Sequence, residues 1–223
     1  MKKGKILIVA AHPDDEILGC GGAILRHIKE GDDVAWLICT KPPEDMHWTK
    51  EFLQQRKKNI IDVAQKINFN EVFQLNFPAT KLDTIPKGEI ISEFSKIFEE
   101  YKPNQIYAPH RGDAHSDHKI VFDSVNACGK WFRYPYVKKI LSYETPSETE
   151  FNYKDENLFS PNTYIDISIY LEEKLEIMSI YKSEISDFPF PRSIESIKAL
   201  AKWRGSNVGY DAAEAFKLLF HRS

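Results

Sequence analysis

The sequence predicts an α/β protein: a Rossmann-like, mostly parallel twisted sheet with helices on both faces and its active site at the C-terminal ends of the strands. Three observations carry that expectation. Short β-branched runs alternate with longer helical patterns through the first half, as in βαβ units joined by right-handed crossovers. The runs are continuously apolar, as in strands covered on both faces. The two most unusual polar clusters follow the first and fourth runs, where open α/β sheets hold their ligands.

Taken in order, Lys5–Ala11 (KILIVAA) reads as the first strand and Ile17–Glu30 as a helix ending at Gly31. Val34–Thr40 (VAWLICT) is the second strand, followed by a long amphipathic helix over Thr49–Ile67. Glu71–Phe77 and Glu89–Tyr101 form the third strand and helix. Gln105–Pro109 (QIYAP) begins a fourth strand before a polar loop, His118–Phe132 carries a helical pattern, and Ile140–Glu144 is a fifth strand. Beyond Pro146 the pattern weakens: Tyr164–Ile169 reads as a strand, Tyr170–Tyr181 and Ile194–Arg204 as helices. No repeat, low-complexity tract or Pro/Ser-rich linker interrupts the chain. Residues 1–223 are therefore expected to form one domain, with the part from 146 to 223 supplying loops that complete the pocket.

The bulk composition narrows the function class. With 42% hydrophobic and 28% charged residues over 223 positions, the chain can bury a core without disulfide or metal staples. A formal charge of −3 argues against a general affinity for nucleic acid or an anionic membrane. Cys20, Cys39 and Cys128 show no CxxC spacing, so neither a disulfide framework nor a thiolate metal site is expected, and a reducing compartment fits best. The apolar run Ile6–Ala11 is too short for a signal-peptide core of roughly 7–15 residues or for a membrane span. A cytoplasmic protein without a span is the expectation.

The first polar cluster is His12-Pro13-Asp14-Asp15-Glu16, directly after a buried strand. Three adjacent carboxylates repel one another, and a divalent cation relieves that repulsion. One imidazole with carboxylate oxygens suits an open zinc site. A second acid is then left over to act as a base toward an attacking water. The competing reading is that Asp14, Asp15 and Glu16 only cap the next helix. Gly19, Gly21 and Gly22 suggest a dinucleotide loop, but the run lacks a third glycine at Ile24 and the acids before it repel a pyrophosphate. Close packing of the helix on the sheet explains these glycines better.

The second cluster, HRGDAHSDHK over 110–119, holds three of the seven histidines. His115 and His118, three apart, share a face on one helical turn. This cluster reads as the source of a third metal ligand and of a charge-stabilising imidazole, with Asp117 placed to orient one histidine.

Together the clusters resemble the signature of the LmbE-like, or PIG-L, family of zinc-dependent de-N-acetylases: AHPDDE at 11–16 and HSDH at 115–118, both without substitution. The similarity extends to the glycines at 19–22 and to RGSNVGYDAAEAF at 204–216. The resemblance implies His12, Asp15 and His118 as zinc ligands and Asp14 as the general base. It makes His115, oriented by Asp117, the positively charged group that stabilises the oxyanion. Arg56 falls where the family often places an active-site arginine, although Asn59 and Ile67-Asn68 depart from the family pattern beside it. His110 and Asp113 are expected behind the ligands or in the pocket as substrate-binding residues. Zn2+ is the implied cofactor, with Fe2+ compatible with the same donors. The implied substrate is an N-acetylglucosamine-type sugar or its conjugate, and a homo-oligomer is a common assembly for such enzymes.

Two further readings stay open from residues alone. The same activated water serves a different amide, an ester or a phosphoester, and a Rossmann-like scaffold also suits a non-catalytic sugar- or nucleotide-binding module. His27 and His221 are expected on the surface. His47 and Trp48 are expected near the active-site edge, Trp203 near the pocket, and the WFRYPY stretch over 131–136 in packing.

Overall fold

The computed structural model describes residues 3–44, 47–153 and 158–223. Among them, one sheet contains β1 (Lys5–Ala10), β2 (Asp33–Lys41), β3 (Glu71–Pro78), β4 (Gln105–Pro109), β5 (Lys139–Tyr143), β6 (Thr163–Asp166) and β7 (Ala213–His221), in the order β3-β2-β1-β4-β5-β7-β6. The first five strands pair in parallel; β7 lies antiparallel between β5 and β6. The helices are α1 (Asp15–Glu30), α2 (Lys50–Ile67), α3 (Lys87–Tyr101), α4 (Ser116–Cys128), α5 (Leu171–Met178) and α6 (Ile194–Ser206).

Alternation along β1 shows why its run is wholly apolar. Ile6, Ile8 and Ala10 face one core with side chains of α1, α2, α5 and α6, while Leu7, Val9 and Ala11 face the other with those of α3 and α4. Successive side chains of a strand point to opposite faces, so a two-sided sheet needs apolar residues at every position. The expected mostly parallel sheet with helices on both faces is thus the observed architecture.

Several boundaries differ from the sequence expectation. The helix expected over 118–132 begins at Ser116 and stops at Cys128, before Gly129. Past it, Trp131 and Phe132 are exposed, whereas Tyr134 is buried and the Tyr136 hydroxyl donates to the Phe98 carbonyl. The C-terminal third does more than supply loops, because β7 inserts into the sheet and carries β6 on its outer side. Glu214 interrupts the apolar run of β7 and hides it from a reading based on hydrophobicity. His27 is also not a surface residue. Its Nδ1 lies 2.7 Å from Asp32 and its Nε2 2.9 Å from the Tyr107 hydroxyl. Burial pushes its pKa down.

The glycines of α1 act by closeness. A Cβ on Gly19 would overlap the Tyr143 ring of β5, and one on Gly22 would overlap Ile167. The backbone of α1 is held from the other end of the chain: the Glu214 carboxylate accepts the amides of Gly22 and Ala23, each at 2.8 Å. Lys174 of α5 donates to the same carboxylate at 2.7 Å and to the Leu18 carbonyl at 2.9 Å. Both charges of this pair are buried.

Removing one partner of a buried pair leaves the other charge uncompensated, at a cost of about 3–5 kcal/mol. Glu214→Ala is therefore expected to lower stability by about that amount in urea unfolding. The double substitution Lys174→Met/Glu214→Leu should recover most of it.

Candidate active site

The chain lays β1, β2 and β3 toward one edge, then returns to place β4 on the other side of β1. The strand order reverses there, and the crevice beyond the carboxyl ends of such a pair is the binding position of open α/β sheets. β1 runs out into His12–Glu16 and β4 into 110–118, so the two clusters meet although they lie about a hundred residues apart in the chain.

The three residues expected to hold a metal converge. One donor atom from each of His12, Asp15 and His118 lies within 4.8 Å of the others. His118 Nε2 is 3.3 Å from Asp15 Oδ1, and His12 Nδ1 is 3.6 Å from Asp15 Oδ2. The outer ring nitrogens are both engaged by carboxylates: His12 Nε2 at 3.0 Å from Asp117 Oδ2, and His118 Nδ1 at 2.8 Å from Asp113 Oδ2. With the outer nitrogens so engaged, the inner ones are those left for a metal, the usual carboxylate–histidine support of a metal ligand. His12, His115 and Asp117 also lie close together. There, however, His115 Nδ1 accepts the Asp117 amide, and the Asp117 oxygens accept the amides of Thr80 and Leu82.

The electrostatics of the first group draw in positive charge. Burial disfavours charge on His12, yet its bonds to Asp117 and Asp15 outweigh it and push the pKa up to about 9. His118, opposed by burial but facing Asp15 and Asp113, is raised well above the usual histidine value. Burial likewise opposes ionisation of Asp15, but the His118 charge and bonds to both imidazoles hold its carboxyl well below the carboxylate range. Two imidazoles and one carboxylate with inward-facing donors fit a zinc ion with an open coordination position.

Asp14 stands apart from that group. Its backbone sits at φ 132°, ψ −32°, a conformation that residues with a Cβ rarely adopt. Such strain costs on the order of 1–3 kcal/mol and collects at functional sites. Its side chain makes no capping bond to α1; only its carbonyl accepts the amides of Ile17 and Leu18. The cap-only reading of the acidic run therefore fails at this residue. The strained amide is held at 3.0 Å by Glu16 Oε2, and Glu16 Oε1 accepts the Tyr181 hydroxyl at 2.6 Å. Burial, then the charges of Asp15 and Glu184, push the Asp14 carboxyl up to about 7. Arg192 Nη1, 3.2 Å from Asp14 Oδ2, opposes that rise.

His115 lies between the two: its ring centroid is 4.4 Å from that of His12 and 5.5 Å from that of His118. As the N-cap of α4 its Nδ1 accepts the Asp117 amide at 3.2 Å, which leaves the proton on Nε2. Burial and the positive charges of His12 and His118 push its pKa down to about 4. A divalent cation in the same place has the same sign and the same effect. These neighbours thus work against the positive charge expected on His115. Asp117 orients this ring through its backbone amide, while its carboxylate serves His12, 3.9 Å from His115 Nδ1 being beyond hydrogen-bond reach.

A cavity of about 320 Å³ opens over these groups, and Arg56 of α2 and Trp48 help to line it. Trp48 stacks on Phe52 with centroids 4.5 Å apart. Arg56 forms no ion pair among the described residues. Asp113 does not reach the cavity: its second oxygen accepts the Thr149 hydroxyl at 2.7 Å, so it braces His118 from behind. His110 is buried with its ring edge-on to Phe159 at 5.2 Å, also outside the cavity. Neither of these two expected substrate-binding residues lines the cavity. Arg192 and Glu184 were not foreseen. They come from a stretch between α5 and α6 in which no motif or periodicity distinguishes one charge from another.

The family model for GlcNAc-PI de-N-acetylase, PIG-L, matches residues 7–128, more than half of the chain. An uncharacterized deacetylase of Escherichia coli K12, YaiS, is 28% identical over 152 residues, 66% of this chain and 76% of that one. The diacetylchitobiose deacetylase of Thermococcus kodakarensis is 22% identical over 96% of this chain and 83% of its own. The crystal structure of the conserved protein TT1542 from Thermus thermophilus superposes with a TM-score of 0.78 at 24% identity, covering 99% of this chain and 96% of that one, and shares its fold. The chain belongs to the PIG-L, or LmbE-like, family of de-N-acetylases and is a hydrolase of amide bonds.

Proposed function

We propose that the protein removes the acetyl group from an N-acetylglucosamine-type amino sugar or its conjugate, with zinc held by His12, Asp15 and His118. The observation that carries this reading is the convergence of those three donors with both outer imidazole nitrogens already engaged by Asp117 and Asp113. The sugar is supported by the family and by relatives whose names specify acetylated sugars. A zinc ion bound there supplies Lewis acidity, acidifying water and polarising the amide carbonyl.

The chain's own groups divide the remaining work. Asp14, with a pKa near neutrality, takes a proton from the water that attacks the carbonyl carbon. His115 donates its Nε2 hydrogen to the oxygen that becomes negative. Its neutrality suits this role, since a neutral imidazole donor needs no proton from solvent. When the C–N bond breaks, the amine takes the proton held by Asp14, and acetate and the free amino sugar result. Arg192 keeps Asp14 ionised and aimed, and Arg56 offers an uncommitted guanidinium to sugar hydroxyls.

The direct test is acetate release from a panel of N-acetylated sugars by the zinc-loaded protein. No release from any amino sugar, with release from other amides or esters, would move the activity to another bond. Asp14→Ala and His115→Ala are each expected to lower turnover by about 10²–10³-fold with zinc content unchanged. His118→Ala should lose the metal; zinc by elemental analysis equal to wild type would remove His118 from the ligand set.

The carboxylate form of Asp14 is the active one, so kcat/KM should rise with pH through its pKa. The Arg192 cation favours that form. Arg192→Gln is therefore expected to move the rising limb of the pH–rate profile to higher pH, and a shift to lower pH or none would contradict the pairing.

A further inference from the structure

A second cavity, of about 480 Å³, adjoins the one over the catalytic groups, and Thr145 walls both. Thr145 is 1% exposed, and its hydroxyl has no hydrogen-bond partner among the described residues. A buried hydroxyl without a partner is costly, and an orphan of this kind on a cavity wall points to a ligand. The cavity also holds Trp203, which is 57% exposed despite its size. Its indole is fixed by the Arg204 guanidinium stacked 4.7 Å from the ring centroid.

The chemistry of the occupant follows from which lining groups are already spent. Arg204 gives both donor arms to Glu144, at 2.8 and 2.5 Å, so the pair is neutral and leaves no cation for a phosphate or carboxylate. Glu150, exposed at the rim, repels an anion further. The Thr149 hydroxyl is committed to Asp113 at 2.7 Å, and the Ser196 hydroxyl lies between Ser193 and the Phe190 carbonyl. A second pyranose would bring several hydroxyls into this space against lining groups that are mostly spent, with Thr145 and the rim carboxylate of Glu150 left to partner them. Losing hydration without replacement disfavours it by about 1–3 kcal/mol per stranded group. A flat apolar ring loses nothing and gains the indole face.

We propose that this cavity is a subsite for an uncharged aryl or similarly flat aglycone attached to the amino sugar, stacked on Trp203 and hydrogen-bonded at most once, to Thr145. The inference rests on the deacetylase reading above and narrows its substrate class to apolar glycosides.

The test compares acetate release from N-acetylglucosamine and from 4-nitrophenyl N-acetyl-β-D-glucosaminide. The wild-type protein is expected to favour the aryl glycoside by about tenfold in kcat/KM, the scale of one aromatic stack. Trp203→Ala should bring the two substrates level without changing the rate on the free sugar, and Trp203→Phe should keep the preference. No aryl preference in the wild type, or one that survives Trp203→Ala, overturns the subsite. Should neither compound release acetate, the reaction assigned above fails and calorimetric binding decides the subsite alone. 4-Nitrophenyl β-D-glucosaminide should then bind about tenfold tighter than glucosamine, and only when Trp203 is present; equal affinities overturn the inference.

Discussion

The Asp15 carboxylate is desolvated at the end of a buried strand, with an imidazole on either side. A charge in that position is sustainable only with compensating charge and fully used oxygens. One oxygen accepts the His12 amide at 2.8 Å, and both face the rings of His12 and His118. Those rings need support in turn, and each draws in another carboxylate. Asp117 is steadied by the amides of Thr80 and Leu82, and Asp113 by Thr149. One buried charge thus propagates into loops from three separate parts of the chain, and the site's rigidity is the sum of those bonds.

The neighbouring Asp14 shows the complementary device. Its strained backbone is kept by a bond from its amide to Glu16, and Glu16 is kept by the Tyr181 hydroxyl just beyond α5. Burial pushes the Glu16 carboxyl up to about 8 in spite of these bonds. The pKa values of two adjacent acids consequently diverge: the Asp15 carboxyl is held well below the usual carboxylate range and that of Asp14 is pushed up to about 7. Separating the pKa values of paired acids is how a single site assigns one to charge and the other to proton transfer.

Much of this was legible in the residues. Five parallel strands could be read because a two-sided sheet forces uninterrupted apolar runs, as in KILIVA and VAWLICT. The convergence of His12, Asp15 and His118 could be read because they occupy short, unusual clusters at strand exits. What escaped has physical reasons. β7 was hidden because Glu214 breaks its hydrophobic run, and its charge is tolerable only through Lys174 and two amides that lie far off in the sequence. Arg192 and Glu184 carry no local pattern, since their role depends on where a loop without regular structure is placed. The downward pull on the His115 pKa comes from burial and the charges of two neighbours, which a motif does not convey.

The clasp of Glu214 on α1 has a consequence for how the molecule comes to be made. Residues 12–118 contain the triad, and they leave the ribosome about a hundred residues before β7. At that stage α1 lacks the carboxylate that holds its Gly22 and Ala23 amides, and Lys174, when it emerges, is a cation without its partner. β7 must also insert between β5 and β6, so β6 has no neighbour in the sheet until then. The nascent chain therefore passes through a period in which the half that carries His12, Asp15 and His118 exists on an unsecured helix. Completion of the catalytic crevice is tied to the last strand of the sheet to be synthesised.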